Sequence, residues 1–314
     1  MSSNTEENVN DLITAVCSNV SGIGPTKGRA VAADFSSNFQ EFLSADEARF
    51  SAIKTSKGTP ILSAEQIKQI VVEKKTLAKY PDITDAWMYF IGKEFLKGQV
   101  SHLEEMQLSS LDINPFLAIA LELKTPEQVL KFNLYQNVTR SVVTTWGSVV
   151  EDLLARAGAD RFKEKNGRSG RRPDISKVKD GKEYLIQIKS GPNTMNVDMV
   201  QSLNEVIAEF AKSKPDSKVL LGMTYGKRSM VSTQIKAGLI EYDKSSLIGR
   251  ELWDFIKGEP NYHRKVFAVL DTASEGILSA TFTDLMSKKL EQLVAEWELK
   301  YPKQSLHDVL DNYM

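Results

Sequence analysis

Three polar residues near the middle of the chain have the types and the spacing to do chemistry on a phosphodiester. Asp174 follows Pro173 at the start of a predicted strand, and Gln187 and Lys189 lie at the end of the apolar strand that comes next. Side chains alternate along a strand, so Gln187 and Lys189 point to the same face of the sheet. Because the two strands form a predicted hairpin, Asp174 can lie beside them. The spacing therefore gathers a carboxylate, an amide oxygen and an ammonium group.

Such a cluster has the ligands for a divalent cation. Mg²⁺ accepts a few oxygens from a protein and completes its shell with water or phosphate. The candidate ligands here are Asp174, Gln187 and the main-chain carbonyl of Ile188. Lys189 could orient or deprotonate an attacking water and stabilise the charge of the transition state. We therefore predict a Mg²⁺ site, which Mn²⁺ could also occupy, for phosphodiester hydrolysis; the alternative is a surface hairpin without chemistry.

The hairpin that would carry these residues has a clear turn signal. RRPDISKV and KEYLIQIKS are predicted strands, and KDGK separates them. Asp-Gly between two strands is typical of a two-residue hairpin turn. We therefore expect an antiparallel pair that turns at residues 179–182.

The remaining segments predict helices around this hairpin. NVDMVQSLNEVIAEFAKSK has helical periodicity, SKVLLGMTYG is a predicted buried strand, and RELWDFIKG is an amphipathic helix that ends at a glycine. Residues 125–158 open with a helix-start signal and are predicted to form two helices, and residues 283–299 form a charged helix. This order indicates an α/β (α+β) fold, a mixed β-sheet flanked by helices.

Residues 20–35, VSGIGPTKGRAVAADF, have a different character. Gly22 and Gly24 permit a tight turn and leave N–H groups uncovered before the next helix. The segment resembles the first hairpin of a helix-hairpin-helix DNA-binding domain, and residues 56–71 resemble a degenerate second hairpin with Ser63 as a helix N-cap. The resemblance implies that Gly22, Gly24 and Lys27 bind DNA phosphates without reading sequence. A small helical bundle that binds another protein is the alternative.

Composition sets the broad class. The chain has 314 residues, enough for about two domains, with 41% hydrophobic and 26% charged residues, as in a soluble globular protein. Its one cysteine excludes a disulfide framework, and three scattered histidines make no recognisable zinc site. No apolar run is long enough for a membrane span, and the first residues do not resemble a signal peptide. We expect a cytoplasmic protein without a membrane partner.

The formal net charge of −1 hides a local concentration of positive charge. Residues 161–172, RFKEKNGRSGRR, carry six basic residues and one acidic residue directly before Pro173. Arg168, Arg171 and Arg172 are therefore predicted DNA contacts, because such a stretch can neutralise phosphates. The alternative is a solvated loop.

Pro173-Asp174 followed by Gln187-Ile188-Lys189 resembles the PD-(D/E)xK nuclease superfamily. Gln187 departs from that pattern, which has Asp or Glu at this position, and this puts a two-metal mechanism in doubt. The resemblance implies a further ligand and catalytic residue on the helix before the sheet, for which Glu151 in WGSVVEDLL is the candidate. An ordinary exposed helix glutamate is the alternative for Glu151.

A narrower resemblance extends over residues 112–270. DINPFLAIAL, LIQIKSGPNTMN, MVQSLNEV, VLLGMTYGKR and GRELWDFIKG, in that order, resemble the catalytic region of type II restriction endonucleases that cut RGGNCCY sites. The loop SGPNTMN is the most specific part of this resemblance. The helix-hairpin-helix segment is not carried over from those enzymes.

This resemblance implies DNA contacts after the second and after the third predicted strand. The candidates follow the catalytic lysine or the strand VLLGMTY, and they are Asn193, Thr194, Asn196, Gln201, Lys227 and Arg228. Asparagine and threonine could donate to phosphates or base edges. Plain helix polarity is the alternative for Gln201, and a surface turn is the alternative for Lys227 and Arg228.

Together these features predict three regions: a helix-hairpin-helix-like domain at 1–75, a helical linker at 76–130 and a nuclease domain with a C-terminal helix at 131–314. The leading hypothesis is a type II restriction endonuclease, a Mg²⁺-dependent enzyme that hydrolyses double-stranded DNA at a specific sequence. A palindromic site implies a homodimer, and host protection implies a cognate DNA methyltransferase in the same restriction-modification system. The rivals are a structure-specific DNA repair nuclease and a non-catalytic DNA-binding protein with a decayed site.

Overall fold

The fold is that of a computed structural model, which describes residues 2–162, 173–275, 277–278 and 280–314. The chain divides into two compact units. One comprises Met1–Ile91 with Lys265–Leu270, and the other comprises Gly92–Arg264 with Asp271–Met314. The sequence-based boundaries near residues 75 and 130 remain predictions.

Short helices build the first unit. Its first five helices are α1 (Ser2–Ser18), α2 (Pro25–Asp34), α3 (Phe39–Ser44), α4 (Glu47–Ser51) and α5 (Ala64–Leu77). Their centre contains Phe35, Phe42 and Phe50, whose rings meet edge to face at centroid distances of 5.4–5.9 Å. Such pairs add to the stabilisation that burial of apolar area provides. The next helix, α6 (Ile83–Glu105), includes residues of both units.

A five-stranded mixed sheet organises the second unit. Its strands are β1 (Asp160–Arg161), β2 (Ile175–Lys179), β3 (Lys182–Lys189), β4 (Ser217–Met223) and β5 (Ser246–Ile248). They lie in chain order, with β1–β2 and β2–β3 antiparallel and β3–β4 and β4–β5 parallel. This arrangement confirms the predicted mixed sheet.

Helices cover both faces of the sheet, as predicted. The helices that follow α6 are α7 (Pro115–Ala120), α8 (Pro126–Ala157), α9 (Val197–Ser213), α10 (Thr233–Gly238), α11 (Tyr242–Ser245), α12 (Arg250–Lys257), α13 (Tyr262–Glu275), α14 (Phe282–Lys300) and α15 (Leu306–Asp311). Residues of α9 share a buried cluster with Leu185 and Leu221 of the sheet. On the other face, Leu252 of α12 packs so close to Gly222 that a Cβ there would lie 3.0 Å from it.

The predicted hairpin turn is confirmed. Asp180 and Gly181 both have positive φ, 52° and 75°, which is the conformation of a type I′ turn. Its twist matches that of the flanking strands, so β2 and β3 pair continuously from Lys179↔Lys182 to Ile175↔Ile186. The turn thus fixes the register on which the candidate site depends.

The prediction of two helices at residues 125–158 was wrong, because α8 is one helix of 32 residues. A Thr125–Gln128 capping box starts it, and Gly158, with φ of 126°, ends it. The single interior glycine, Gly147, costs about 1 kcal/mol relative to alanine. The buried residues of α8, among them Leu130 and Leu154, offset that cost.

Among the described residues, no helix is long and apolar enough to cross a membrane.

Candidate active site

The register of the β2–β3 hairpin places Asp174 opposite Gln187. Ile175 pairs with Ile186, and the Asp174 N–H donates to the Ile186 carbonyl at 2.9 Å. The Asp174 Oδ2 atom accepts from the Gln187 Nε2 and from the Ile188 N–H, each at 2.6 Å. Sequence reasoning placed these residues near each other, and the structure joins them by direct hydrogen bonds.

Lys189 ends β3, and the chain after β4 holds its backbone. The Thr224 N–H donates to the Lys189 carbonyl at 3.1 Å. The Thr224 hydroxyl donates to the Ser190 carbonyl at 2.7 Å. Both bonds lie just beyond the parallel β3–β4 pairing, which ends at Lys189↔Met223. Thr224 therefore fixes the direction in which the strand leaves the sheet, a role that sequence reasoning did not identify.

Glu151, in the last turns of α8, belongs to the same electrostatic neighbourhood. Burial raises its pKa, and the negative charges of Asp174 and Asp152 raise it further. The positive charges of Arg161 and Lys189 act in the opposite direction. Arg161 lies on β1, with a guanidinium nitrogen 3.6 Å from the Glu151 Oε2. The helix thus brings its carboxylate to the hairpin end that carries Asp174 and Lys189.

The Asp174 carboxyl group also has a raised pKa. Burial raises its pKa, while the hydrogen bond from the Ile188 N–H, the charge of Lys189 and the bond from Gln187 partly offset that effect. Since both bonds end on Oδ2, Oδ1 is the oxygen that the described residues leave for another partner. Asp174 and Glu151 are therefore two partly buried carboxylates with raised pKa values, and the charge of Asp174 contributes to the rise at Glu151.

This donor set fits a hard divalent cation that keeps part of its water shell. It offers the carboxylates of Asp174 and Glu151, the amide oxygen of Gln187 and the carbonyl of Ile188, and oxygen ligands are those that Mg²⁺ prefers. A cation here would offset the burial that raises both pKa values and the charge of Asp174 that further raises the pKa of Glu151. Within the described ranges, no group of three or more Asp, Glu, His or Cys could hold a metal ion. At the hairpin, Asp174 is the carboxylate and Gln187 contributes a neutral amide.

Comparison with known family models identifies the family of the chain. A model of the family "Type II restriction endonuclease EcoO109I" matches residues 89–276, more than half of the chain. The chain belongs to that family. Comparison with curated proteins gave no match.

The family match confirms the predicted type II restriction endonuclease and its α+β fold. The matched range contains Glu151, Asp174, Gln187 and Lys189, so the hairpin cluster lies within the shared region. It also contains β1 to β5 and the helices on both faces of the sheet. The N-terminal hairpins lie before the match, and their DNA-binding role remains a prediction.

The predicted DNA contacts after β3 take different positions. Asn193 is exposed. The Thr194 hydroxyl donates to the Gly191 carbonyl at 2.7 Å, and the Asn196 Oδ1 accepts from the Met199 N–H at 2.9 Å as the N-cap of α9. Gln201 is exposed on the second turn of α9. Thr194 and Asn196 therefore shape the loop and the helix start, and their contact with DNA remains a prediction.

Two neighbouring basic residues after β4 differ in their surroundings. Lys227 is exposed. Arg228 donates to both carboxylate oxygens of Glu251, at 2.9 and 2.7 Å, and to the Ser246 carbonyl at 2.9 Å. Glu251 thus anchors Arg228, which sequence reasoning did not foresee because the two residues come from separate segments. Both DNA contacts remain predictions. The Arg228 side chain is held by Glu251, whereas the Lys227 side chain is exposed to solvent.

The other predicted DNA contacts lie elsewhere in the chain. Arg168, Arg171 and Arg172 fall outside the described residues. In the first unit, Gly22 has φ of 75°, and Gly24 is the N-cap of α2. These glycines stand in the turn that joins α1 to α2, as predicted.

Lys27 connects the two predicted hairpins of the first unit. Its Nζ donates to the Gln66 Oε1 at 2.9 Å. Gln66 forms the capping box of α5 with Ser63, which confirms Ser63 as the helix cap. The Gln66 amide also donates to the Ser21 carbonyl at 3.3 Å, so one side chain ties the first turn to the start of α5.

Proposed function

We propose that this chain is a Mg²⁺-dependent endonuclease that cuts both strands of duplex DNA at a specific sequence. The observation that carries the proposal is the hairpin end with Asp174, Gln187 and Lys189, where the charges of Asp174 and Lys189 act on Glu151 of α8, inside the region matched by a restriction endonuclease family. Partly buried carboxylates beside a lysine at a strand end have the chemistry for phosphodiester hydrolysis.

Asp174 and Glu151 would hold the metal through carboxylate oxygens, and Gln187 and the Ile188 carbonyl would complete the protein ligands. Bound Mg²⁺ supplies positive charge to the phosphoryl oxygens and lowers the pKa of a coordinated water. Mn²⁺, which also takes oxygen ligands in octahedral geometry, is expected to substitute. The Gln187 amide donates to Asp174, which keeps the Asp174 oxygens in a fixed orientation.

Lys189 would orient the attacking water and stabilise charge on the phosphate during attack. Its position supports this role, because Thr224 holds the Lys189 and Ser190 carbonyls and so limits how the strand end can move. A side chain on a fixed strand end holds its geometry better than one on a free loop. Replacement of Lys189 by alanine is expected to lower the cleavage rate by about 10²–10⁴-fold.

A palindromic duplex has two equivalent scissile bonds, so we propose a homodimer with one active site for each strand. Asn193, Gln201 and Lys227, which are exposed, would contact DNA near the cut. The turn of the first unit, with Gly22, Gly24 and Lys27, would grip phosphates without reading bases. A cell that contains this enzyme needs a methyltransferase that modifies the same sequence.

The test is a Mg²⁺ digest of unmethylated phage DNA by wild-type protein and by Lys189→Ala, with Lys288→Ala, an exposed lysine of α14, as the control. Discrete fragments from the wild type and the control, and none from Lys189→Ala, support the proposal. Equal cutting by all three proteins would move the chemistry away from this strand end. The absence of cutting in Mg²⁺ and Mn²⁺ at low salt, over diverse plasmid and phage DNA, would overturn it.

Two other functions are kept as alternatives. The helix–turn–helix connection at Gly22–Gly24 suits a structure-specific repair nuclease, which would cut flaps or junctions rather than linear duplex. The Gln187–Asp174 hydrogen bond gives one carboxylate oxygen a partner without a cation, which favours a DNA-binding protein with a decayed site. That alternative predicts salt-dependent DNA binding without metal-dependent cutting.

A further inference from the structure

Tyr225 is an exposed aromatic residue at the carboxyl end of β4. It lies between Thr224 and Gly226, and its exposed fraction is 56%. Because β4 runs parallel to β3, the carboxyl ends of the two strands lie side by side, and Tyr225 follows β4 at the end of the sheet where Lys189 ends β3. Neither sequence periodicity nor the family resemblance pointed to it.

The backbone on both sides of Tyr225 is held in place. Thr224 binds the Lys189 and Ser190 carbonyls through its N–H and hydroxyl groups, and the Thr224 carbonyl accepts from the Trp253 indole at 2.9 Å. On the other side, Gly226 has φ of 101°, and a Cβ there would lie 3.0 Å from the Pro192 ring. The loops after β3 and β4 are therefore packed together around Tyr225.

The far end of the Tyr225 ring rests on Gly191. A Cβ on Gly191 would lie 2.3 Å from Cζ, 2.5 Å from Oη and 2.7 Å from Cε1 of Tyr225. The ring therefore covers the backbone two residues after Lys189, which is possible only because Gly191 has no side chain. This contact fixes the direction of the ring while more than half of the residue stays in solvent.

We propose that Tyr225 positions the DNA strand for cleavage, with its hydroxyl donating a hydrogen bond to a backbone phosphate next to the scissile bond. The inference rests on the proposed function, since the phosphate is the group that the neighbouring Lys189 would act on. A fixed donor on an exposed residue, at the same end of the sheet as that lysine, can orient a phosphate without adding charge to the site.

The hydroxyl is tested with Tyr225→Phe, which removes one oxygen and leaves the ring on Gly191. Its control is Tyr135→Phe on the exposed side of α8. The substrate is a duplex that carries the site mapped from a wild-type digest. We expect kcat/KM to fall about tenfold for Tyr225→Phe, as the loss of one hydrogen bond to a charged group implies, and to stay at the wild-type value for the control.

Ethylation of single phosphates identifies the contact. In a gel shift with Ca²⁺, ethylation of one phosphate per strand next to the cut is expected to weaken binding by the wild type but not by Tyr225→Phe. Identical interference patterns for the two proteins would overturn the phosphate contact. A pattern that changes instead at base-modified positions would assign Tyr225 to base reading and would equally overturn it.

The ring contact is tested with a double-mutant cycle. Gly191→Ala is expected to displace the ring and to lower kcat/KM by at least as much as Tyr225→Phe. In a Tyr225→Ala background, the added methyl group has space, so Gly191→Ala should cause little further loss. Additive losses would show that Gly191 acts independently of Tyr225.

Normal cutting by Tyr225→Phe and Tyr225→Ala overturns this inference alone, whereas a wild type that cuts no DNA overturns the proposed function as well.

Discussion

At the scale of single residues, Gln187 is the most informative member of the site. Its amide donates to Asp174 at 2.6 Å, where an acidic side chain would place a second negative charge against the first. The neutral residue therefore stabilises the metal-free hairpin and gives up one charged ligand. Stability without metal and affinity for metal are opposed at this position.

Gln187→Glu is expected to lower the Mg²⁺ concentration for half-maximal cleavage, by about tenfold, because a carboxylate binds a hard cation better than an amide does. In EDTA the variant should unfold at a lower temperature than the wild type, since its new charge repels Asp174. A Mg²⁺ titration of cleavage and thermal unfolding with and without Mg²⁺ measure both effects. Gln292→Glu, an exposed position on α14, is the control for added charge. An unchanged Mg²⁺ requirement would contradict the assignment of Gln187 as a ligand.

The raised pKa values of Asp174 and Glu151 predict how cleavage depends on pH. A metal ligand must be ionised, so kcat/KM should fall on the acid side at a pH above the ordinary carboxyl range. Because Mg²⁺ and protons compete for these oxygens, more Mg²⁺ should move the fall to lower pH. A pH profile at two Mg²⁺ concentrations tests this, and an acid limb that does not move with Mg²⁺ would contradict it.

The same shift has a consequence for stability. A carboxyl group with a raised pKa in the folded state binds a proton that the unfolded chain has already lost, so stability falls as pH rises from the ordinary to the raised pKa. Glu151→Gln removes this cost. It should raise the unfolding temperature near neutral pH while it lowers cleavage on the order of a hundredfold. Glu298→Gln, exposed on α14, should change neither quantity.

At the scale of elements, the loop after β4 carries two cations with different surroundings: Arg228 is bonded to Glu251, and Lys227 is exposed. Arg228→Ala should destabilise the fold by about 1–2 kcal/mol, because Glu251 loses both of its charged hydrogen bonds at a half-exposed site. Lys227→Ala should leave the unfolding temperature unchanged and weaken DNA binding, with a salt dependence reduced by about one counterion. Thermal unfolding and binding at several salt concentrations distinguish them. A full wild-type salt slope for Lys227→Ala would exclude a phosphate contact.

Local signals explain what could be predicted of the elements. Asp180-Gly181 determines its own turn, and Ser63 caps α5 with a residue three positions away, so both were predictable from a few neighbours. The unbroken α8 was not, because its continuity depends on packing along the whole length of the helix. The Arg228–Glu251 pair and the Thr224 contacts were also missed, since they join segments that only the folded sheet brings together.

At the scale of the whole molecule, the N-terminal unit is proposed to add affinity without changing the recognised sequence. Gly24 has φ of −79°, and a Cβ there would meet no atom within 4 Å, so Gly24→Ala should fold normally. If the backbone of this turn approaches a phosphate, the methyl group should weaken DNA binding about tenfold and leave the cut positions unchanged. Gly98→Ala, which is equally open in α6, is the control. Wild-type affinity for Gly24→Ala would exclude a close phosphate at this turn.

The order of the strands has a consequence for synthesis on the ribosome. Each strand pairs with the next one made, so β1 to β3 can pair before β4 exists. The clamp on Lys189, however, comes from Thr224, and Thr224 is itself held by Trp253. At ribosomal speed, the stretch from Lys189 to Trp253 takes on the order of several seconds. The nascent chain therefore carries Lys189 for that interval before the contacts that fix its backbone exist, and the proposed nuclease becomes competent only late in its own translation.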